Sequence, residues 1–131
     1  MDSKITIAME NYLEIIYEFE KEGKRARVSE IAKKKNVSKA SVNNAMNVLA
    51  EYGLVINEKY HDIVLTTQGK KKAKLICEKH RIIQTLFEKV LDIDTYHAST
   101  DACLIEHVIS DESIEKMKTF LIKNHYLEEA N

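Results

Sequence analysis

The sequence predicts a mainly α-helical protein of two lobes, and three observations carry that assignment. Apolar residues recur at intervals of three and four through most of the 131 positions, as expected of helices that each bury one stripe. Only two short stretches, LVIN and DIVLT, favour strand. Proline is absent, and Gly23, Gly53 and Gly69 stand where an apolar pattern stops or restarts, so the glycines punctuate the elements.

Taken in order, Met9, Tyr12, Leu13, Ile16 and Phe19 form the inward stripe of a first helix that ends before Gly23. The stretch VSEIAKKKNVSKASVNNAMNVLAEY that follows carries two shorter helices, the first turning Ile31 and Ala32 inward, the second Val42, Ala45, Met46 and Leu49. Ser38 is a natural N-cap for the second of these, because its hydroxyl can accept an otherwise unpaired backbone N–H. Asn36, in the turn between them, tolerates a left-handed backbone. LVIN and DIVLT, joined by EKYH, read as a small hairpin. A long helix over 70–91 follows, with Ala73, Ile76, Cys77, His80, Ile83, Phe87 and Val90 near one stripe. Two shorter helices, 96–109 and 111–121, complete the chain, the latter opened by Ser110 as a cap. No internal repeat or low-complexity linker intervenes. The expected division is a lobe over residues 1–70 and a second over 71–131.

An apolar content of 44% with 31% charged residues describes a folded globular chain. No run is long enough to span a bilayer, and MDSKITIAMENY lacks an uninterrupted apolar signal core; the expectation is a cytoplasmic protein without a membrane partner. Two cysteines, Cys77 and Cys103, are too few for a disulfide scaffold and are expected as reduced thiols. Residues 1–75 hold 14 Lys+Arg against 10 Asp+Glu, whereas residues 76–131 hold 6 against 11. A basic first half suits a polyanion, and an acidic second half suits cations or a partner subunit.

Helix, tight turn, capped helix and two-stranded hairpin is the order of a winged helix-turn-helix. In that arrangement one helix buries a face on its neighbours and offers small polar groups to base edges in a groove of double-stranded DNA. Ser38, Lys39, Ser41, Asn43, Asn44 and Asn47 supply such a face; asparagine pairs with adenine at two points, and lysine takes guanine or phosphate. Lys33, Lys34, Lys35 and the hairpin residues Lys59, Tyr60 and His61 would hold the sugar-phosphate backbone. The plainer reading is a three-helix packing unit whose polar residues face water, or a winged helix that binds protein. The run Lys70, Lys71, Lys72 and Lys74 reads as a solvated first turn.

The segment CLIEH spaces Cys103, Glu106 and His107 at i, i+3 and i+4, so on a helix all three project from one face and can converge on one ion. Thiolate, carboxylate and imidazole together suit Fe(II), Zn(II) or Co(II), while a site richer in oxygen leans toward Mn(II). Three ligands from one helix rarely complete a shell. His80, on the apolar stripe of the long helix, needs a hydrogen-bond partner or a metal, and Glu14, beside the inward stripe of the first helix, needs compensation for its charge. Each residue also has an ordinary explanation: a buried cysteine, a solvated helix edge, a satisfied core histidine.

AMENYLEIIYEFEKEG at the first helix, the winged helix-turn-helix, CEKHRII in the long helix and ACLIEHVISDE in the next together resemble the diphtheria toxin repressor and manganese transport regulator family of metal-activated repressors. The likeness runs in order over nearly the whole chain. It implies a winged helix-turn-helix joined by a long helix to an all-helical metal-binding and dimerisation domain, with the longer members' SH3-like third domain lacking a counterpart. It further implies Glu14, His80, Glu106 and His107 as ligands and Cys103 as another candidate. Asn11 falls where the manganese branch has an aspartate ligand and the iron branch a methionine. Glu14 matches the manganese branch and Cys103 the iron branch. Gln84 and Ser99 replace a glutamate and a histidine of the iron branch's other site, with His97 two residues from the latter. The implied function is a homodimeric repressor activated by Fe(II) or Mn(II) that binds a palindromic operator. Dimerisation is drawn from the same likeness and from Ile105, Val108, Ile109, Met117, Phe120 and Leu121, some of which must serve the lobe's own core.

A winged-helix regulator answering to a small organic effector or to cysteine oxidation is the competing expectation. An enzyme is not expected: the sequence has no H-E-x-x-H, nucleophile elbow or phosphate loop.

Overall fold

The computed structural model describes residues 5–129. The chain divides into two compact units, Met1–Leu75 and Ile76–Asn131. In the first unit, α1 (Ile7–Lys21) opens on Thr6, whose side chain accepts from Met9 N, and it buries Tyr12, Leu13, Ile16 and Phe19. A two-helix unit follows, α2 (Val28–Lys35) and α3 (Lys39–Glu51). Asn36 stands between them at φ 59° and ψ 51°, in the left-handed region. Asparagine adopts that region more readily than other side chains. The Ser38 hydroxyl accepts from Ser41 N at 3.1 Å and caps α3. Val42, Ala45, Met46 and Leu49 form the buried face of α3, and with the α1 stripe, Ile31 and Ala32 they build one core.

The hairpin pairs β1 (Val55–Ile56) with β2 (Val64–Leu65), in the register Val55 to Leu65 and Ile56 to Val64. Alternation sends Val55 and Leu65 into the core and leaves Ile56 and Val64 exposed. A single bridge, Ile63 N to Ala26 O at 2.7 Å, adds the segment before α2 as a third edge. Glu20 Oε2 accepts from Leu65 N at 2.9 Å, which ties β2 to α1.

α4 runs Thr67–Thr85, and the unit boundary falls within it. Gly69 is required there because a Cβ would run into the Leu54 carbonyl oxygen. The expected solvated lysine turn is partly engaged: Lys70 pairs with Glu20 at 3.8 Å and Lys72 with Glu10 at 3.7 Å.

In the second unit the expected helix over 70–91 ends its α-helical part at Thr85. Leu86–Val90 form a π-helical turn, closed by Leu91 N to Leu86 O at 3.2 Å. Asp92 then turns the chain at φ 57°. α5 covers Thr95–Ile105 and α6 covers Asp111–Lys123, capped by Ser110 accepting from Ser113 N at 3.1 Å. Ile82, Ile83, Ala102, Ile114 and Leu121 make the core of this unit. Lys118 donates to Glu78 at 2.8 Å, and that bond raises the lysine pKa. Among the described residues no helix is long and apolar enough to cross a membrane.

Candidate metal centre and nucleic-acid interface

α5 stops four residues earlier than the expected 96–109. Glu106 is its C-cap, with φ −54° and ψ −28°, and His107 lies in the turn beyond. His80, Cys103 and Glu106 converge, each with a donor atom within 4.8 Å of the others, and Glu106 and His107 also bring donor atoms within 4.8 Å of each other. Glu106 Oε1 lies 3.1 Å from His80 Nδ1, and Cys103 Sγ lies 3.7 Å from the same nitrogen. Thiol and carboxylate, three residues apart in the chain, thus both meet the same imidazole nitrogen of α4.

Glu106 is 2% exposed and is the one charged residue buried among the described residues. Its Oε2 has no hydrogen-bond partner there. An ionised oxygen taken from water without compensation is costly, and a cation is the compensation that a carboxylate, an imidazole and a thiol are all suited to hold. The donor chemistry fits a divalent ion. Cys103 is exposed, which removes the reading of it as a small buried hydrophobe and leaves the thiol at the open edge of the cluster. His80 is held from its far side as well: Nε2 lies 2.9 Å from Gln84 Oε1, and Gln84 Nε2 donates to Glu88 Oε2 at 2.7 Å. The sequence reading passed over Glu88. Its i+4 spacing from Gln84, itself i+4 from His80, was the available signal.

His97 stands apart. It is bonded through Nδ1 to Asp94 Oδ1 at 2.6 Å at the start of α5, on an exposed surface, and this hydrogen bond lowers the Asp94 pKa. Glu14 and Asn11 are half-buried on α1 of the first unit.

On α3, Lys39, Asn43, Asn44 and Asn47 are exposed. Asn47 Oδ1 accepts from Asn57 Nδ2 at 3.0 Å, so the hairpin steadies that end of the polar face. Ser38 and Ser41 are joined by their hydroxyls at 3.0 Å in the cap. Tyr60, 93% exposed at the hairpin tip with φ 67°, carries Lys59 Nζ 5.2 Å from its ring centre. Lys34 and Lys35 turn instead to α1, Lys34 to Glu18 at 3.4 Å and Lys35 over the Tyr12 ring at 4.9 Å. Positive charge that the sequence reading missed comes from Arg25 and Arg27, which flank buried Ala26 and both reach Asp62, at 3.6 and 3.1 Å. Together with Lys39, Tyr60 and His61 they line an open cleft of about 810 Å³. The alternation KRAR ahead of α2 was the signal for this edge.

Comparison with known proteins bears on both sites. Residues 4–63 match the N-terminal DNA-binding domain of the iron-dependent repressors, and residues 66–126 match their metal-binding and dimerisation domain. An HTH-type transcriptional regulator of Methanocaldococcus jannaschii is 39% identical over 117 residues, covering 88% of this chain and 94% of its own. The HTH-type regulator MntR of Bacillus subtilis is 35% identical over 112 residues, 86% of this chain and 78% of its own. Among solved structures, the manganese regulator SloR superposes with a TM-score of 0.78 at 29% identity over 92% of this chain, and ScaR with bound zinc with a TM-score of 0.77 at 29% identity. The chain spans about half the length of these two structures, 54% and 55%.

Proposed function

Because the chain belongs to the iron-dependent repressor family of metal-dependent transcriptional repressors, we propose that it is a homodimeric, cytoplasmic repressor whose operator affinity is raised by Fe(II) or Mn(II). The observation that carries this reading is the buried Glu106, facing His80 and Cys103 with one oxygen lacking a hydrogen-bond partner among the described residues. A bound divalent cation supplies the positive charge that offsets this carboxylate. His80, Cys103, Glu106 and His107 hold it from the second unit, and Glu14 and Asn11 contribute from α1. Metal binding favours the DNA-binding state of the repressor. Two half-sites of a palindrome are then met about one turn of DNA, ~34 Å, apart. Linkage requires that operator DNA tighten metal in return.

Ser38, Lys39, Ser41, Asn43, Asn44 and Asn47 present the base-reading face. Lys59, Tyr60, Arg25 and Arg27 hold the phosphates and set register. The dimer contact draws on the apolar residues that the core leaves outside. Leu121 is fully buried and Ile105, Ile109 and Met117 pack partly on the core, whereas Val108 is 72%, Leu104 67% and Phe120 45% exposed.

The test is operator binding titrated with Fe(II) and Mn(II) under anaerobic conditions. Wild type gains affinity with metal, and Glu14→Gln and His107→Ala lose most of that gain; retention of the full gain by both variants rejects the sensor. The exposed Cys103 thiol beside His80 favours a second reading, in which oxidation releases DNA. Peroxide-driven release from Cys103→Ser that equals wild type excludes it.

A further inference from the structure

We propose that Gln84 and Glu88 are positioning residues that decide which ring nitrogen of His80 is presented to a cation, an inference that rests on the metal reading above. His80, Gln84 and Glu88 follow one another at i+4 along α4 and into the π-helical turn. A carboxylate only accepts hydrogen bonds. The end of Gln84 that lies 2.7 Å from Glu88 Oε2 is therefore its NH2 group, and the oxygen is turned to His80 Nε2 at 2.9 Å. An amide oxygen also only accepts, so Nε2 carries the proton. Nδ1 is the nitrogen left to face Glu106 Oε1 at 3.1 Å and Cys103 Sγ at 3.7 Å.

Reversal of this order requires the Gln84 amide to invert, which sets its oxygen against the Glu88 carboxylate. Glu88 thus acts at two removes: it orients an amide, the amide orients an imidazole, and the imidazole offers its lone pair where the thiol and the buried carboxylate already converge. Gln84 cannot serve as a ligand while both ends of its amide are engaged in this way. Its role is to hold and polarise the ring, as a hydrogen-bond partner behind a ligating histidine does.

The experiment uses the full chain loaded with Zn(II), with ring nitrogens followed by 15N NMR and Zn(II) affinity measured by competition with a chelating dye. Wild type is expected to show zinc on Nδ1 of His80 and a slowly exchanging proton on Nε2. Gln84→Leu loses the protection of that proton and weakens Zn(II) binding roughly 10–100-fold. Glu88→Gln leaves His80 and Gln84 in place and frees the amide to take either orientation, so the Nε2 proton exchanges faster with a smaller loss of affinity. Zinc found on Nε2, or unchanged affinity and proton exchange in both variants, overturns the inference while leaving the metal site standing. Failure of wild type to bind Zn(II) at all instead sinks the metal reading, and this inference with it.

Discussion

Replacement of Glu106 by glutamine separates a metal centre from a structural ion pair, because the two predict opposite signs for the stability of the metal-free protein. Glu106 is 2% exposed, its Oε1 is 3.1 Å from His80 Nδ1, and its Oε2 lacks a hydrogen-bond partner among the described residues. If Glu106 serves as a structural partner for a charged His80, breaking the pair costs about 3–5 kcal/mol. If Glu106 is a ligand awaiting a cation, the metal-free protein carries the penalty of an underbonded buried carboxylate, of order 1–3 kcal/mol. Glu106→Gln then removes the charge, keeps the shape and lets an amide N–H donate to Nδ1, for a gain of about 1 kcal/mol. Metal at a hundred times its Kd stabilises wild type by about 2.7 kcal/mol, roughly 10 °C in Tm for a chain of this size. The variant shows none of this shift. Thermal unfolding of both proteins, stripped with chelator and then saturated with Mn(II) or Fe(II), measures both quantities. A stripped variant several kcal/mol less stable than wild type, or a variant stabilised by metal as much as wild type, would refute the reasoning.

Other outcomes follow from the same structure. Gly69→Ala places a Cβ against the Leu54 carbonyl oxygen and 3.3 Å from Leu65 Cδ2, and should lower stability by about 1–3 kcal/mol or more in denaturant titrations. Ser38→Ala removes the cap on Ser41 N at a cost of about 1 kcal/mol, read as a lower Tm at unchanged metal affinity. Asn44→Ala is expected to reduce operator affinity by about 1–3 kcal/mol and relax the preference at one base pair, whereas Arg25→Ala weakens binding to all sequences and lowers the salt slope by about one. Metal affinity should fall as pH drops, because thiolate and imidazole ligands must shed protons to bind; isothermal titration in buffers of differing ionisation enthalpy counts the protons released.

The residues that set the local structure were legible because their effects do not depend on distant neighbours. Ser38 and Ser110 cap helices wherever a backbone N–H awaits an acceptor, and Asn36 takes the left-handed turn because its short polar side chain permits it. The stripes through Tyr12, Leu13 and Ile16 and through Val42, Met46 and Leu49 were readable from spacing alone. Lys34 and Lys35 were not, since a long side chain goes where an oppositely charged or aromatic neighbour lies, and both neighbours belong to another helix. The same limit applies to Leu121, buried, and Phe120, exposed. Both belong to an apolar cluster, and spacing does not say which member the core covers.

The order of elements, the two-lobed division of charge and the presence of thiol, imidazole and carboxylate within reach of a helical turn were determined by the sequence. Tertiary structure decided how those donors meet. Cys103 and Glu106 at the end of α5 meet His80 on another helix, and a bonded chain through Gln84 and Glu88 holds the far side of that ring. The physical reason is that helical periodicity acts through bonds of fixed length along one backbone, whereas the meeting of an acid, a ring and a thiol depends on where separate helices stop and which of their faces are pressed together.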